Sequence, residues 1–281
     1  MSIKIITDNG SDVTPEFSKQ HNIDVVNLAV HWPEGVEPPP VGDKDAFYAT
    51  MERSKTPPKT AQPSPAEFQD VFQKALDAGH QVLYVSLSLG ISGTVQSAYI
   101  ARDGMAGKED IFILDSQNAT FGQYLVLKEA VRLRDIGLPI KDIVALLEQR
   151  RLLVRFHTII GDLKYLRMGG RVSASAATIG TILHVVPIVG VVDGKVTVLA
   201  KERGRQNGLK RMIRMALEEG VDATLPLMLG HTAREDEMLS YQKMCVEAGL
   251  PFGDVEFCHL GPIIGAHGGP GCVGMVYFKK E

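Results

Sequence analysis

Three short stretches combine residue types and spacings that are able to handle a ligand. Ser88 to Ala98 reads SLGISGTVQSA: an apolar strand runs into Ser92-Gly93-Thr94, which opens a helix. Unpaired N–H groups and the positive end of the helix dipole gather at such a start, so hydroxyls and backbone together suit an anion there; Ser92 acting only as an N-cap accounts for the same residues. Gly-Ile-Ser-Gly-Thr is also one residue from a G-x-S-x-G nucleophile elbow, with Thr94 where the second glycine belongs. Gly261 to Gly274 holds six glycines, two prolines and His267, a composition that predicts an irregular loop whose bare backbone approaches a neighbour or ligand. Lys59-Thr60-Ala61-Gln62-Pro63-Ser64 ends in a helix cap, with Ser64 and Glu67 forming a capping box, and leaves Thr60 free to point elsewhere.

Carboxylates also stand at predicted strand ends: Asp8 and Asp12 near Ser11 in TDNGSD, and Asp115 beside Ser116. Such groups hold a divalent cation, act as acid and base, or cap the next helix and tie loops. A metal-dependent phosphotransferase using Asp8, Asp12 and Asp115 is therefore one reading, and a serine esterase using Ser92, His267 and Asp115 another. No phosphate-binding loop, dinucleotide fingerprint or zinc-protease motif occurs. Arg171, in the turn Met168-Gly169-Gly170-Arg171, and Arg203, Arg205, Arg211 and Arg214 form either a basic rim or a solvated face.

These residues need a scaffold, and the sequence outlines one. Apolar runs at Ile3 to Asp8, Ile23 to His31, Val82 to Ser88 and Ile111 to Asp115 predict strands, with helices starting near Thr14, Ser64, Gly93 and Ala119. Strands separated by helices predict a parallel sheet covered on both faces, with ligands at the strand C-terminal ends. Eight of the fifteen prolines lie between His31 and Pro65, predicting an irregular excursion with one short helix from Asp45 to Arg53. A long helix is expected to end near Leu153, followed by a strand from Arg155, an apolar helix from Ala174 to His184 and a hairpin about Asp193-Gly194, a type I′ signal. Helices at Leu209 to Glu219 and Glu235 to Ala248 alternate with strands at Leu225, Val255 and Val273, predicting a mixed sheet. The expected division is an N-terminal α/β domain over 1–155, including the proline-rich excursion 31–65, and a C-terminal α/β domain over 156–281.

Bulk properties narrow the classes. A chain of 281 residues with 44% hydrophobic residues and a net charge of -3 offers no general attraction to nucleic acid or an anionic surface. No stretch approaches the roughly 20 apolar residues of a membrane span. Cys245, Cys258 and Cys272 lack metal-ligand spacing and fit a reducing compartment, so a cytoplasmic protein is expected.

Taken in order, KTAQPS (59–64), SxxxSGTxQSA (88–98), LDS (114–116), LxxLRMGGRVS (163–173) and GPxxGxHxGPGxxG (261–274) resemble the successive signatures of the bacterial DegV family, which includes the fatty-acid-binding subunits of bacterial fatty acid kinase. The resemblance implies two α/β domains with a long-chain fatty acid such as palmitate buried in a tunnel between them. It assigns the carboxylate to Thr60, Ser92 and His267, with Gly93 and Thr94 supplying the helix start. It further implies a non-catalytic carrier without cofactor or metal that presents the lipid to a separate kinase. Arg171 and Arg203, on turns or element ends rather than on the cleft motifs, are expected to face that partner. The apolar stretch from Ala174 to Val186 is then a candidate tunnel wall. The chain departs from the usual pattern at Ala61, where the family has serine, at Leu89-Gly90, where serine and lysine are usual, and at Cys272, in place of alanine.

Overall fold

The computed structural model describes residues 2–172 and 185–280 and divides into two compact units. The first comprises residues up to Ala29, Ala61–Leu152 and Asp193–Lys195; the second comprises Val30–Thr60, Leu153–Val192 and the chain from Val196. The sequence reading attached the proline-rich excursion to the first domain. The excursion belongs instead to the second unit, because its helix buries an aromatic face, Phe47, Tyr48 and Met51, against Tyr165 and Ala266.

In the first unit, β1 (Ser2–Asp8), β2 (Asp24–Val26), β5 (His80–Ser86) and β6 (Ile111–Asp115) form a parallel sheet in the order β2-β1-β5-β6. The sheet grows in opposite directions from the adjacent β1 and β5, so their C-terminal ends form the switch point where such sheets collect ligands. Helices α3 (Pro65–Asp77) and α4 (Thr94–Asp103) bury Phe68, Phe72, Ala98 and Ala101 against Ile6, Val82 and Tyr84. The expected run Ile23 to His31 is broken: after β2 the chain enters β3 (Ala29–His31), which pairs with β4 (Lys59–Ala61), and the two strands bracket the excursion and its helix α2 (Lys44–Arg53). The short helix α1 (Pro15–Gln20) starts at its Thr14 cap, as predicted.

The single long helix expected before Leu153 is two helices, α5 (Thr120–Asp135) and α6 (Ile140–Arg150). Gly137, at φ 84°, reverses the chain, and Pro139 stands at the N-cap of α6. Left-handed glycine followed closely by proline is a stop signal that apolar periodicity overrides when it is read alone.

The second unit has a six-stranded mixed sheet in the order β11-β10-β12-β7-β8-β9, from β7 (Val154–Ile159), β8 (Val185–Val192), β9 (Lys195–Arg203), β10 (Leu227–His231), β11 (Val255–His259) and β12 (Val273–Phe278). Strand β10 runs parallel to β11, whereas β12 pairs antiparallel with β10 and β7. Asp193 and Gly194 both take positive φ, 49° and 72°, as a type I′ turn requires. One core lies between this sheet and helices α8 (Arg205–Glu219) and α9 (Glu235–Glu247), with Met212, Met238 and Tyr241 packed on Leu229, Met275 and Tyr277. The short α7 (Lys164–Met168) contributes Leu166 to a smaller cluster with Ile160, Val172 and Val189. The apolar stretch from Ala174 to His184, expected as a helix and tunnel wall, lies outside the described residues; Val185 and Val186 begin β8.

Candidate functional site

The glycine-rich segment is a helix where a loop was expected. Residues Pro262–Gly268 form α10, with proline in its first turn and Gly269, at φ 72°, ending it. Glycines inside a helix cost stability, so each needs a reason. At Gly265, a Cβ would lie 2.3 Å from the Tyr48 hydroxyl, which donates to the Leu260 carbonyl at 2.9 Å. At Gly269, a Cβ would lie 2.1 Å from the Tyr165 ring. The helix therefore has bare faces because tyrosines from α2 and α7 occupy the space.

His267 stands in the last turn of α10 and is partly buried. Its Nε2 shares a 2.8 Å hydrogen bond with the Thr60 hydroxyl on β4, across 207 residues of sequence. Burial, with the nearby Arg171 charge as a second cause, pushes the imidazole down to about 4, so it is neutral at physiological pH. Gly169 explains the ring's seat: a Cβ there would stand 2.2 Å from His267 Nδ1. Sequence reasoning took the Met168 to Arg171 turn for its arginine and missed this glycine. The guanidinium of Arg171 donates to the Gly169 carbonyl. Arg203 is exposed at the end of β9, and its carbonyl accepts from Asn207 at 2.8 Å. The neighbouring Arg205 is structural: it makes a bidentate pair with Glu237 at 2.8 and 2.6 Å and donates to the Gly271 carbonyl at 2.9 Å.

Within the first unit, Ser92, Gly93 and Thr94 stand where β5 hands over to α4. The N-cap is Gly93, without any side-chain cap, and not Ser92. The Ser92 hydroxyl pairs with Thr94 Oγ1 at 2.8 Å and lies 3.4 Å from the Thr94 N–H. Thr94 is fully buried. The result is a helix start whose amides lack a dedicated cap, beside two paired hydroxyls, an arrangement able to receive an anionic oxygen.

The aspartates do other work. Asp8 is fully buried, and its carboxylate accepts from Tyr84 Oη at 2.7 Å and from the Leu87 and Gly10 amides at 2.9 and 3.0 Å. Burial raises its pKa against these donors. Asp12 accepts from the Thr120 hydroxyl, and Asp115 Oδ1 accepts from the Gln117 amide at 2.8 Å and weakly from Leu89 at 3.4 Å. Of the three roles left open for these carboxylates, capping and loop tying is the one these contacts express. Among the described residues no group of three His, Cys, Asp or Glu side chains gathers as metal ligands would. For an esterase, Asp115 would have to orient the imidazole, yet its Oδ1 is held by local amides. Cys245, Cys258 and Cys272 are buried and unbridged, and burial pushes Cys245 up to about 12. Among the described residues no helix is long and apolar enough to cross a membrane.

Comparison with known proteins gives these motifs a context. Residues 2–280 match the sequence signature described as an uncharacterised protein of the DegV family. A DegV domain-containing protein of Caldanaerobacter subterraneus is 32% identical over 284 residues, covering 99% of each chain. The protein DegV of Bacillus subtilis is 31% identical over 287 residues, covering all of both. The crystal structure of the Bacillus subtilis DegV, described as a fatty acid binding protein, superposes with a TM-score of 0.83 at 27% identity over 100% of both chains. A stearic acid-binding protein from Eubacterium ventriosum gives 0.85 at 24% identity, covering 100% of this chain and 99% of its own.

Proposed function

Because the chain belongs to the DegV family, we propose that it binds a long-chain fatty acid and serves as a non-catalytic carrier for it. The carboxylate is received by Thr60, Ser92 and His267, with Gly93 and Thr94 contributing the open helix start. The observation that carries this reading is the 2.8 Å hydrogen bond between Thr60 and a neutral His267. Two motifs far apart in sequence meet there to make a neutral polar pair, with the Arg171 charge near enough to act on the imidazole. Hydroxyls, a neutral imidazole and helix-end amides suit a carboxylate whose affinity comes chiefly from its tail, since together they replace much of its hydration. At about 0.8 kcal/mol per buried methylene, a palmitoyl chain contributes on the order of 10 kcal/mol before ordering costs, enough to bind without a dedicated arginine. The descriptions of solved relatives as fatty acid binding proteins support the same ligand class.

In this reading the carrier works in the cytoplasm and hands the lipid to a separate fatty acid kinase, with Arg171 and Arg203 toward that partner. The two arginines are not equivalent, because the charge of Arg171 already acts on His267. Reversal of Arg203 is expected to leave lipid content unchanged and to weaken only the encounter with the kinase. Reversal of Arg171 also raises the pKa of His267.

The test is lipid extraction from natively purified protein, followed by titration of palmitate and hexadecanol into the wild type, Ser92→Ala, Thr60→Val and His267→Ala. About one fatty acid per chain is expected, and each substitution weakens palmitate by about tenfold to a hundredfold while sparing the alcohol. Folded protein that carries no fatty acid, and whose melting temperature palmitate does not raise, would sink the reading. Ester turnover abolished by Ser92→Ala would replace it with a hydrolase.

A further inference from the structure

The glycine of Ser92-Gly93-Thr94 has no backbone reason to be glycine. Its φ of -73° and ψ of 6° are open to any residue. What a side chain there would meet is Gln62: a Cβ on Gly93 would stand 2.3 Å from Gln62 Oε1, 3.1 Å from its Cδ and 3.2 Å from its Nε2, the three nearest atoms, so the glutamine tip would have to move aside. The same amide donates from Nε2 to the Ser97 hydroxyl at 3.0 Å, one turn into α4. Gln62 thus lies across the first turn of the helix. It contacts the N-cap glycine at one end and a buried serine at the other.

The backbone of Gln62 is well anchored for this task. The residue before it closes β4, and the cap of α3 follows two residues later, where Ser64 and Glu67 bond reciprocally. Side chains held at both ends in this way transmit position, whereas those on free loops do not. Nothing in the helix itself replaces the brace, since α4 begins without a side-chain cap.

We infer that Gln62 is the positioning residue of the Ser92–Thr94 turn: by lying over Gly93 and holding Ser97, it fixes the direction of the helix-start amides and of the Ser92 hydroxyl toward the ligand head group. The inference rests on the proposed carboxylate-binding role of that turn. It accounts for a joint requirement, because the glutamine of one motif needs the glycine of the other.

A double-substitution cycle on the full chain tests it. Gln62→Ala removes the brace, and Gly93→Ala displaces it; each is expected to weaken palmitate about fivefold to tenfold and to leave hexadecanol within about twofold. In the Gln62→Ala background the obstructing amide is gone, so adding Gly93→Ala is expected to cost almost nothing more. Gln62→Met, which keeps the length and loses the donor to Ser97, separates packing from hydrogen bonding and is expected to fall between wild type and Gln62→Ala. The same cycle read by melting temperature reports the Gln62–Gly93 coupling whether or not lipid is present. Unchanged palmitate affinity in Gln62→Ala, equal cost of Gly93→Ala in both backgrounds, or equal loss for palmitate and hexadecanol would each overturn the role. A wild type that takes up no palmitate would instead remove the functional reading, and the role with it.

Discussion

A neutral histidine makes an unusual partner for a charged ligand, and its seat depends on a missing methyl. The ring of His267 is held between the Thr60 hydroxyl and the bare Cα of Gly169. Gly169→Ala is therefore expected to push the imidazole off Thr60 and to weaken palmitate about as much as His267→Ala does, roughly tenfold. Nitrogen chemical shifts of His267 check this: the substitution should change the Nε2 signal, and an unaltered signal with unaltered affinity would refute it. Thr60, Ser92 and His267 were singled out in the sequence as a hydroxyl ahead of a helix cap, a hydroxyl at a helix start and the imidazole of a glycine-rich segment, and it was the family resemblance that joined them into one proposed site. Gly169 and Gln62 were not, since their roles are steric and reside in a neighbour arriving from elsewhere in the chain. A residue type announces chemistry; only the fold announces proximity.

Caps and turns gave away the elements, while apolar runs misled where a stop signal interrupted them. Thr14, Ser64 and Gly93 each open the helix expected of them. The runs through Ile23 to His31 and before Leu153 concealed a strand break and a helix break, because apolar residues continue across both, Leu28 in the first and Ile136 and Leu138 in the second, while the backbone does not. The glycine-rich segment erred the other way: its composition argues against a helix, yet packing by Tyr48 and Tyr165 outweighs propensity in α10. Two substitutions weigh these forces. Ser64→Ala removes the capping box of α3 and is expected to cost about 1 kcal/mol in chemical denaturation. Tyr48→Phe leaves the buried Leu260 carbonyl without its donor and is expected to cost about 1 to 3 kcal/mol. If Tyr48→Phe proves neutral, that hydrogen bond adds nothing measurable, and α2 is held by its aromatic packing together with the Lys44 contact to the His259 carbonyl.

For the whole molecule, pH is a sensitive probe, because three histidines of the second unit resist protonation. His259 stacks on His231 at 4.5 Å and on Tyr48 at 5.7 Å. Burial lowers His231, and burial with the facing His231 and Lys44 charges brings His259 to about 4, as burial does for His267. Each folded-state pKa lies below its unfolded value near 6.5, so the unfolded chain binds more protons between about 6.5 and 4, and stability is full above that window and lost as pH falls through it. Asp8, whose pKa is raised, acts in the opposite sense at the acid end. The melting temperature is expected to drop on the order of 5 °C between pH 7 and pH 5, and replacing His259 with Gln should flatten that slope; a profile with no slope would contradict the assignment. The division into units was half visible in the sequence: a boundary near residue 155 lies close to Leu153, but no composition signal tells which unit a proline-rich excursion joins. That membership has a consequence during synthesis. Helix α2 leaves the ribosome long before Tyr165 and Ala266, the residues that cover Phe47, Tyr48 and Met51. At about 5 to 20 residues per second, Ala266 follows roughly 10 to 40 s later, and for that interval the nascent chain carries an aromatic face covered only in part, by Trp32 at first and then by Tyr165.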